Sequence, residues 1–249
     1  MKKSVLLLVA SVGLVTATWA FARAQAPASA APAATGKVTG RVVYDGKPPE
    51  VGPLKIEGEK TKGCCPDGQN VATKDPTLVI DEKGGIANCV VTVQVDGAKV
   101  EPAKDPIVID QKGCHFEPHV VIATLGSTAR FMNSDVCTHN VHTFARKSEG
   151  MNRAVASGGK EDMKLENKEV VKILCDYHPW MSSYVFVTDT PFTALTKADG
   201  TFEITGLKPG TYKAEVWHEQ LGKLKFDLTV GDGGNGSAGE LKMAFKKKG

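Results

Sequence analysis

The stretch Cys175-Asp176-Tyr177-His178-Pro179-Trp180-Met181 decides how this chain is read. A thiol, an imidazole and a thioether recur in it at intervals of three, so on a helix all three would share one face. Pro179 argues against that helix: it has no amide hydrogen to donate, and it drives His178 out of the α region. The segment therefore reads as a loop joining two strands, from which three donor groups can converge on one point. Its flanks agree. Val170 to Leu174 before it and Tyr184 to Thr188 after it read as strands around the loop.

The same pattern extends outward. Val38 to Tyr44 alternates and stops at the turn signal Asp45-Gly46, and Ile86 to Val95 is entered through Gly84-Gly85. Ile107 to Ile109 is a short β-branched run, and Gly126-Ser127 breaks Val120 to Leu125 from Thr128 to Met132. Ala198-Asp199-Gly200, Lys208-Pro209-Gly210 and Asp232-Gly233-Gly234 punctuate the C-terminal part at sandwich-like spacing. Lys160 to Asn167 lacks a sustained apolar stripe, so no long helix is expected. The fold class predicted is all-β.

The donors in the loop define a chemistry. Upstream, Thr138-His139-Asn140-Val141-His142 offers a second imidazole; three apart, His139 and His142 point to opposite faces of a strand. Two histidines, one cysteine and a weak axial methionine make up a blue-copper ligand set. The soft thiolate stabilises copper, the imidazoles suit either oxidation state, and the long methionine bond helps set the potential. Hard ions want oxygen ligands, which this set lacks. Structural zinc is the competing metal reading, with Cys137 and His139 as its second ligand pair, but it leaves Met181 unexplained.

Composition bounds the alternatives. The 249 residues carry a net charge of +3, 41% apolar residues, 6% aromatics and six cysteines, which excludes collagen-like, coiled-coil and wholly disordered classes. Lys2 and Lys3 precede an apolar run from Val5 to Ala22 that ends in Ala22-Arg23-Ala24, as in a secretory signal peptide cleaved after Ala24. The run is almost long enough for an uncleaved anchor, but Ser11, Thr16 and Thr18 dilute it. Removing Lys2, Lys3 and Arg23 from the 31 basic residues balances the 28 acidic ones, so a nucleic-acid partner loses its compositional support. Residues 25–36 form an Ala/Pro linker. An exported protein, periplasmic or extracellular and without stable membrane insertion after cleavage, is expected.

Several other features admit plainer roles. In an oxidising compartment six cysteines could make three disulfides. If Cys175 holds a metal, Cys64, Cys65, Cys89, Cys114 and Cys137 remain, one of them unpaired; a bridge from Cys64 or Cys65 to Cys114 is one arrangement. His115 and His119 share strand parity but Pro118 intervenes, so ordinary polar roles are preferred to a second metal site. Trp180 reads as a cover for the site, Trp217-His218-Glu219 as structural, and Lys246-Lys247-Lys248 as a solvated tail.

Taken with Asn133-Ser134-Asp135, the His139-Asn140-Val141-His142 run and the short Cys-x2-His-x2-Met loop resemble a cupredoxin of the plastocyanin/amicyanin type, closest to amicyanin. The resemblance runs from Phe116 to Val187. It implies that His139, Cys175, His178 and Met181 hold one copper ion and that the Asn140 amide donates to the Cys175 sulfur. It also implies that His178 lies at the surface as the electron exit. Tyr177, where amicyanin has proline, and Cys137, so near His139, depart from the pattern.

Separately, Asp199-Gly200-Thr201-Phe202 and Gly206-Leu207-Lys208-Pro209-Gly210-Thr211-Tyr212 resemble the carboxypeptidase-regulatory, prealbumin-like β-sandwich, as does the opening Gly40 to Gly46. Together the parts are similar to methylamine-utilisation-protein-like exported bacterial proteins. The expected architecture is a Greek-key cupredoxin domain (111–188) inserted in a discontinuous sandwich (37–110 and 189–249). The expected function is single-electron transfer to a dehydrogenase, cytochrome or oxidase partner. Copper storage or delivery, and a disulfide-stapled binding module without metal, are the alternatives. With no nucleophilic triad or second copper ligand set, an enzyme is not expected.

Overall fold

The computed structural model describes residues 36–56, 63, 64 and 74–245. The expected signal peptide, the linker before Gly36, Cys65 and Lys246-Lys247-Lys248 lie outside the described residues. Among the described residues no helix is long and apolar enough to cross a membrane, and the helical content is a 3-10 turn at Asp232–Gly234.

The protein is all-β, with strands in three sheets. The N-terminal part supplies β1 (Lys37–Tyr44) and β2 (Val90–Val93). The middle of the chain supplies β3 (Ile107–Gln111), β4 (Phe116–Glu117), β5 (Val120–Thr124), β6 (Thr128–Asn133), β7 (His139–Phe144), β8 (Asn152–Val155), β9 (Lys160–Lys164), β10 (Val170–Leu174) and β11 (Ser182–Thr188). The C-terminal part supplies β12 (Thr193–Leu195), β13 (Thr201–Thr205), β14 (Gly210–His218), β15 (Gly222–Val230) and β16 (Gly236–Met243).

Strands from the two ends of the chain share one seven-stranded sheet, in the order β12-β2-β14-β15-β16-β1-β13. Its edge strands β12 and β13 approach each other, so the sheet folds over its own core of Val38, Val42, Ile86, Val91, Phe202, Val216 and Leu228. Alternation drives this. In β15 inward Leu228 and Val230 alternate with outward polar residues.

The strands in between form a five-stranded sheet, β5-β11-β10-β7-β8, and a four-stranded sheet, β4-β3-β6-β9. Ile109, Phe116, Phe131, Leu165 and Ile173 are buried in their common core. Val90 and Trp217 of the seven-stranded sheet meet Val120 and Phe186 of the five-stranded one in a smaller apolar cluster, which joins the two modules.

One register positions the site. β7 and β10 are antiparallel neighbours with Leu174 opposite His142. Continuing that register carries Cys175 and Asp176, just past the end of β10, alongside Val141 and Asn140. β10 and β11 are also antiparallel, Leu174 pairing with Ser182, so residues 175–181 are the loop between them.

Candidate metal centre

The loop is closed from within. The Cys175 amide donates to the Met181 carbonyl (3.3 Å) and the Met181 amide to the His178 carbonyl (2.9 Å). This brings the first and last donor residues of the loop together, as a strand-joining turn should. Met181 is fully buried, in the same core as Cys175 and Trp180.

Three donors converge at one end of the five-stranded sheet. The Cys175 sulfur lies 3.6 Å from His178 Nδ1 and 3.9 Å from His139 Nδ1. The two Nδ1 atoms are 2.9 Å apart. Metal–nitrogen bonds of about 2.0–2.1 Å and metal–sulfur bonds of about 2.3 Å put trigonal nitrogen and sulfur ligands roughly 3.8 Å apart. The two sulfur–nitrogen edges match that span, while the imidazoles sit closer together. The donor set fits a soft or borderline ion such as copper. Cys175, His139 and His178 are all buried.

Backbone and side chains of β7 brace the sulfur. The Asn140 amide donates to Cys175 Sγ at 3.4 Å, and the Asn140 side-chain oxygen accepts from the Asp176 amide at 2.8 Å. The Asn140 side-chain amide also bonds Asn152 on β8. His142, on the other face of the strand, pairs with Asp176 (3.0 Å) in a partly exposed position and lies outside the triangle.

Asp135 is a member of the site that sequence reasoning left without a role. Its carboxylate lies 2.8 Å from His139 Nε2 and accepts the amides of Gly113 (2.6 Å) and Cys114 (2.9 Å). Gly113 and Cys114 both adopt left-handed backbone (φ 63° and 55°), which turns their amides onto the one carboxylate. A carboxylate on the remote nitrogen fixes the imidazole's tautomer and leaves Nδ1 toward the sulfur. The local signal was an aspartate four residues before the histidine.

Electrostatics follow from these contacts. Burial alone would push the Cys175 thiol up, but hydrogen bonds from His139, His178 and the Asn140 amide outweigh it and bring the group down to about 6. Burial would likewise lower His139, yet Asp135 and the Cys175 sulfur hold it up at about 8. Asp135 is held below the usual carboxylate range: burial opposes this, and His139 with the two loop amides overcomes it. The thiolate, which is the form that ligates metals, is thus favoured before any ion arrives.

One expectation needs correction. His178 is not at the surface: it is only 5% exposed. Trp180 stands edge-on to its ring, 5.3 Å between centroids, and donates its indole N–H to the Cys114 carbonyl. Leu54 and Ile56 pack on the same core, and Cys64 is disulfide-bonded to Cys137, two residues from His139. A segment from before β2 is therefore stapled beside the site. Cys89 and Cys175 are free, so the alternative of three disulfides from six cysteines is not formed, and the Cys64 bridge goes to Cys137 instead of Cys114. Cys114 is disulfide-bonded as well.

The other singled-out residues settle into local roles. His115 turns its ring to the Gly113 carbonyl. His119 bonds the Ser182 carbonyl (3.0 Å) through Nδ1 and Glu219 through Nε2, so the two histidines do not share a ligand site among the described residues. Glu219, Trp217 and Tyr184 line the junction between modules, where burial and Glu219 push the Tyr184 hydroxyl up. His218 caps the β14–β15 turn, accepting the amides of Gln220 and Leu221, and burial lowers it to about 4.

No protein-family profile matches the chain, and no curated protein matches it. Among solved structures it is similar to the Cu-containing nitrite reductase from Thermus scotoductus (21% identity, TM-score 0.33). That likeness covers 39% of this chain but only a quarter of the reductase. A purple cupredoxin from Nitrosopumilus maritimus overlaps 34% of this chain and all of its own (21% identity, TM-score 0.30). A Cu(I) amicyanin mutant overlaps 39% of this chain and 98% of its own (19% identity, TM-score 0.31). At these TM-scores the likenesses carry no conclusion about function; the residues at the end of β7 and in the 175–181 loop have to carry it.

Proposed function

We propose that the chain is an exported, cupredoxin-type copper protein that carries single electrons between redox partners, with His139, Cys175, His178 and Met181 as ligands. The observation that carries this reading is the buried triangle of Cys175 Sγ with the Nδ1 atoms of His139 and His178. Copper bound there would supply a one-electron Cu(I)/Cu(II) couple.

The chain's own residues do the rest. Asp135 orients His139, the Asn140 amide stabilises charge on the Cys175 sulfur, and Asn140 with Asn152 ties the loop to β7 and β8. Holding the donors in one arrangement in both oxidation states keeps structural rearrangement small during electron transfer. Trp180 and the stapled Cys64 segment exclude water from His178. The loop's exposed face is then Asp176, Tyr177 (47% accessible) and Pro179, instead of the histidine edge. The seven-stranded module, like the carboxypeptidase-regulatory sandwiches it resembles, serves as a positioning or docking part. Export, to the periplasm or beyond, rests on the N-terminal leader pattern.

Spectroelectrochemistry of the copper-loaded protein tests the reading. A reversible one-electron wave that bleaches and restores a visible thiolate-to-copper band is expected. Irreversible reduction, with copper leaving the protein, would contradict it.

A further inference from the structure

His139 has sulfur on both sides. Its Nδ1 faces Cys175, while its Nε2 lies 3.6 Å from the sulfurs of both Cys64 and Cys137. Cys64 Sγ is in turn 3.4 Å from Cys114 Sγ. The ligand atoms of Cys64, Cys137, His139 and His178 all lie within 4.8 Å of one another, and so do those of Cys64, Cys114, Asp135 and His139. The proposed electron carrier uses none of these three sulfurs.

We propose that reduction of the Cys64–Cys137 disulfide opens a second copper site, selective for Cu(I), built on the thiolates of Cys64 and Cys137 with Cys114 beside them. Soft thiolates select Cu(I), which is satisfied by two or three sulfur ligands. Here the sulfurs are already assembled, around the buried Cys64. His139 keeps its hydrogen bond to Asp135 and remains committed to the first site, so the second ion needs no shared imidazole. Cys137 is only partly buried and sits between the exposed residues Val136 and Thr138, which lets a reductant reach it; access is one of the factors that govern thiol–disulfide exchange.

The chemistry balances. A dithiol reductant attacks the bridge, passes two electrons and two protons to it, and becomes a disulfide itself, leaving Cys64 and Cys137 as thiols. One Cu(I) ion then replaces the two thiol protons, which go to solvent, and no further oxidant or reductant is consumed. A second dithiol opens the Cys114 disulfide in the same way, passing two more electrons and two more protons, and makes a third sulfur available.

The test is anaerobic titration with Cu(I) against a chromophoric Cu(I) chelator. Protein is taken either as isolated or after dithiol reduction and desalting, with circular dichroism confirming the β fold. As isolated, the chain should withdraw one equivalent, and after reduction two. A reduced Cys64→Ser/Cys137→Ser double variant should stay at one. Reduced Cys175→Ser should also hold one, at the new site alone. That sample separates this proposal from the electron-carrier reading, whose own failure would appear as no uptake by the isolated protein. Equal uptake before and after reduction, a gain that survives in the double variant, or loss of the β signal on reduction would each overturn the second site.

Discussion

Cys89 and Cys175 are the two free cysteines of the described chain, and both are almost completely buried, at 0% and 1% exposure. Yet the Cys89 thiol is pushed up to about 12 while the Cys175 thiol is drawn down to about 6. Around Cys89, in the core of the seven-stranded module, burial dominates and a hydrogen bond with Thr196 offsets it only in part. Around Cys175, two imidazoles and a backbone amide reverse the same penalty. Burial therefore does not make a thiol functional or inert. The polar groups brought to the sulfur do, and here the end of β7 brings them.

The largest test of that contrast is to remove each sulfur in turn. Cys175→Ser should abolish stoichiometric Cu(II) uptake in equilibrium dialysis, and Cys89→Ala should bind like the wild type. Loss of binding in the Cys89 variant would break the comparison. Next, Asp135→Asn removes the carboxylate that orients His139 and should weaken copper affinity about 10- to 100-fold, read by chelator competition. An unchanged affinity would mean the Asp135 contact does not orient the ligand.

A smaller effect is expected in the other core. Cys89→Ala should cost on the order of 1 kcal/mol of unfolding free energy, as a modest truncation in a packed interior does. Denaturant titration measures it, and a loss several times larger would show that Cys89 does more than pack.

The smallest expected change is a plateau. In metal-free protein the Cys175 contribution to stability is fully present above the thiol's ordinary value of 9.0 and is lost as the pH falls through about 6. The His139 contribution is fully present below its ordinary 6.5 and is lost as the pH rises through about 8. Between 6.5 and 8 the folded state has given up one proton at Cys175 and kept one at His139, so the two slopes cancel. Unfolding free energy measured across that interval should be nearly flat, and a steep slope there would show that the two groups are not poised as described.

Much of this was legible in the chain, and the illegible part has a common cause. Strands such as Val170 to Leu174 and the turn at Gly126-Ser127 announce themselves through near-neighbour pattern. Pro179 marks the loop, and the donor types within seven residues mark its chemistry. What stayed hidden joins residues far apart: Cys64 bonds Cys137 across 73 positions, and Gly113 and Cys114 reach Asp135 from 21 or more residues away. Such pairings leave no periodic trace. For the same reason the covering of His178 was legible only in part: Trp180, inside the loop, reads as a cover, but the Cys64 segment stapled beside it comes from before β2. Some strand limits also shifted. Ile86 to Val95 reads as one run, but only Val90–Val93 is laddered, its flanks being taken up by single bonds such as Ile86 to the Val42 carbonyl.

The central claim is that Cys175, as a thiolate, ligates copper together with His139 and His178. The most direct measurement is the visible absorption of the protein as Cu(II) is added. An intense thiolate-to-copper band that grows to one equivalent and then stops is the predicted result. Bound Cu(II) without such a band would contradict the account.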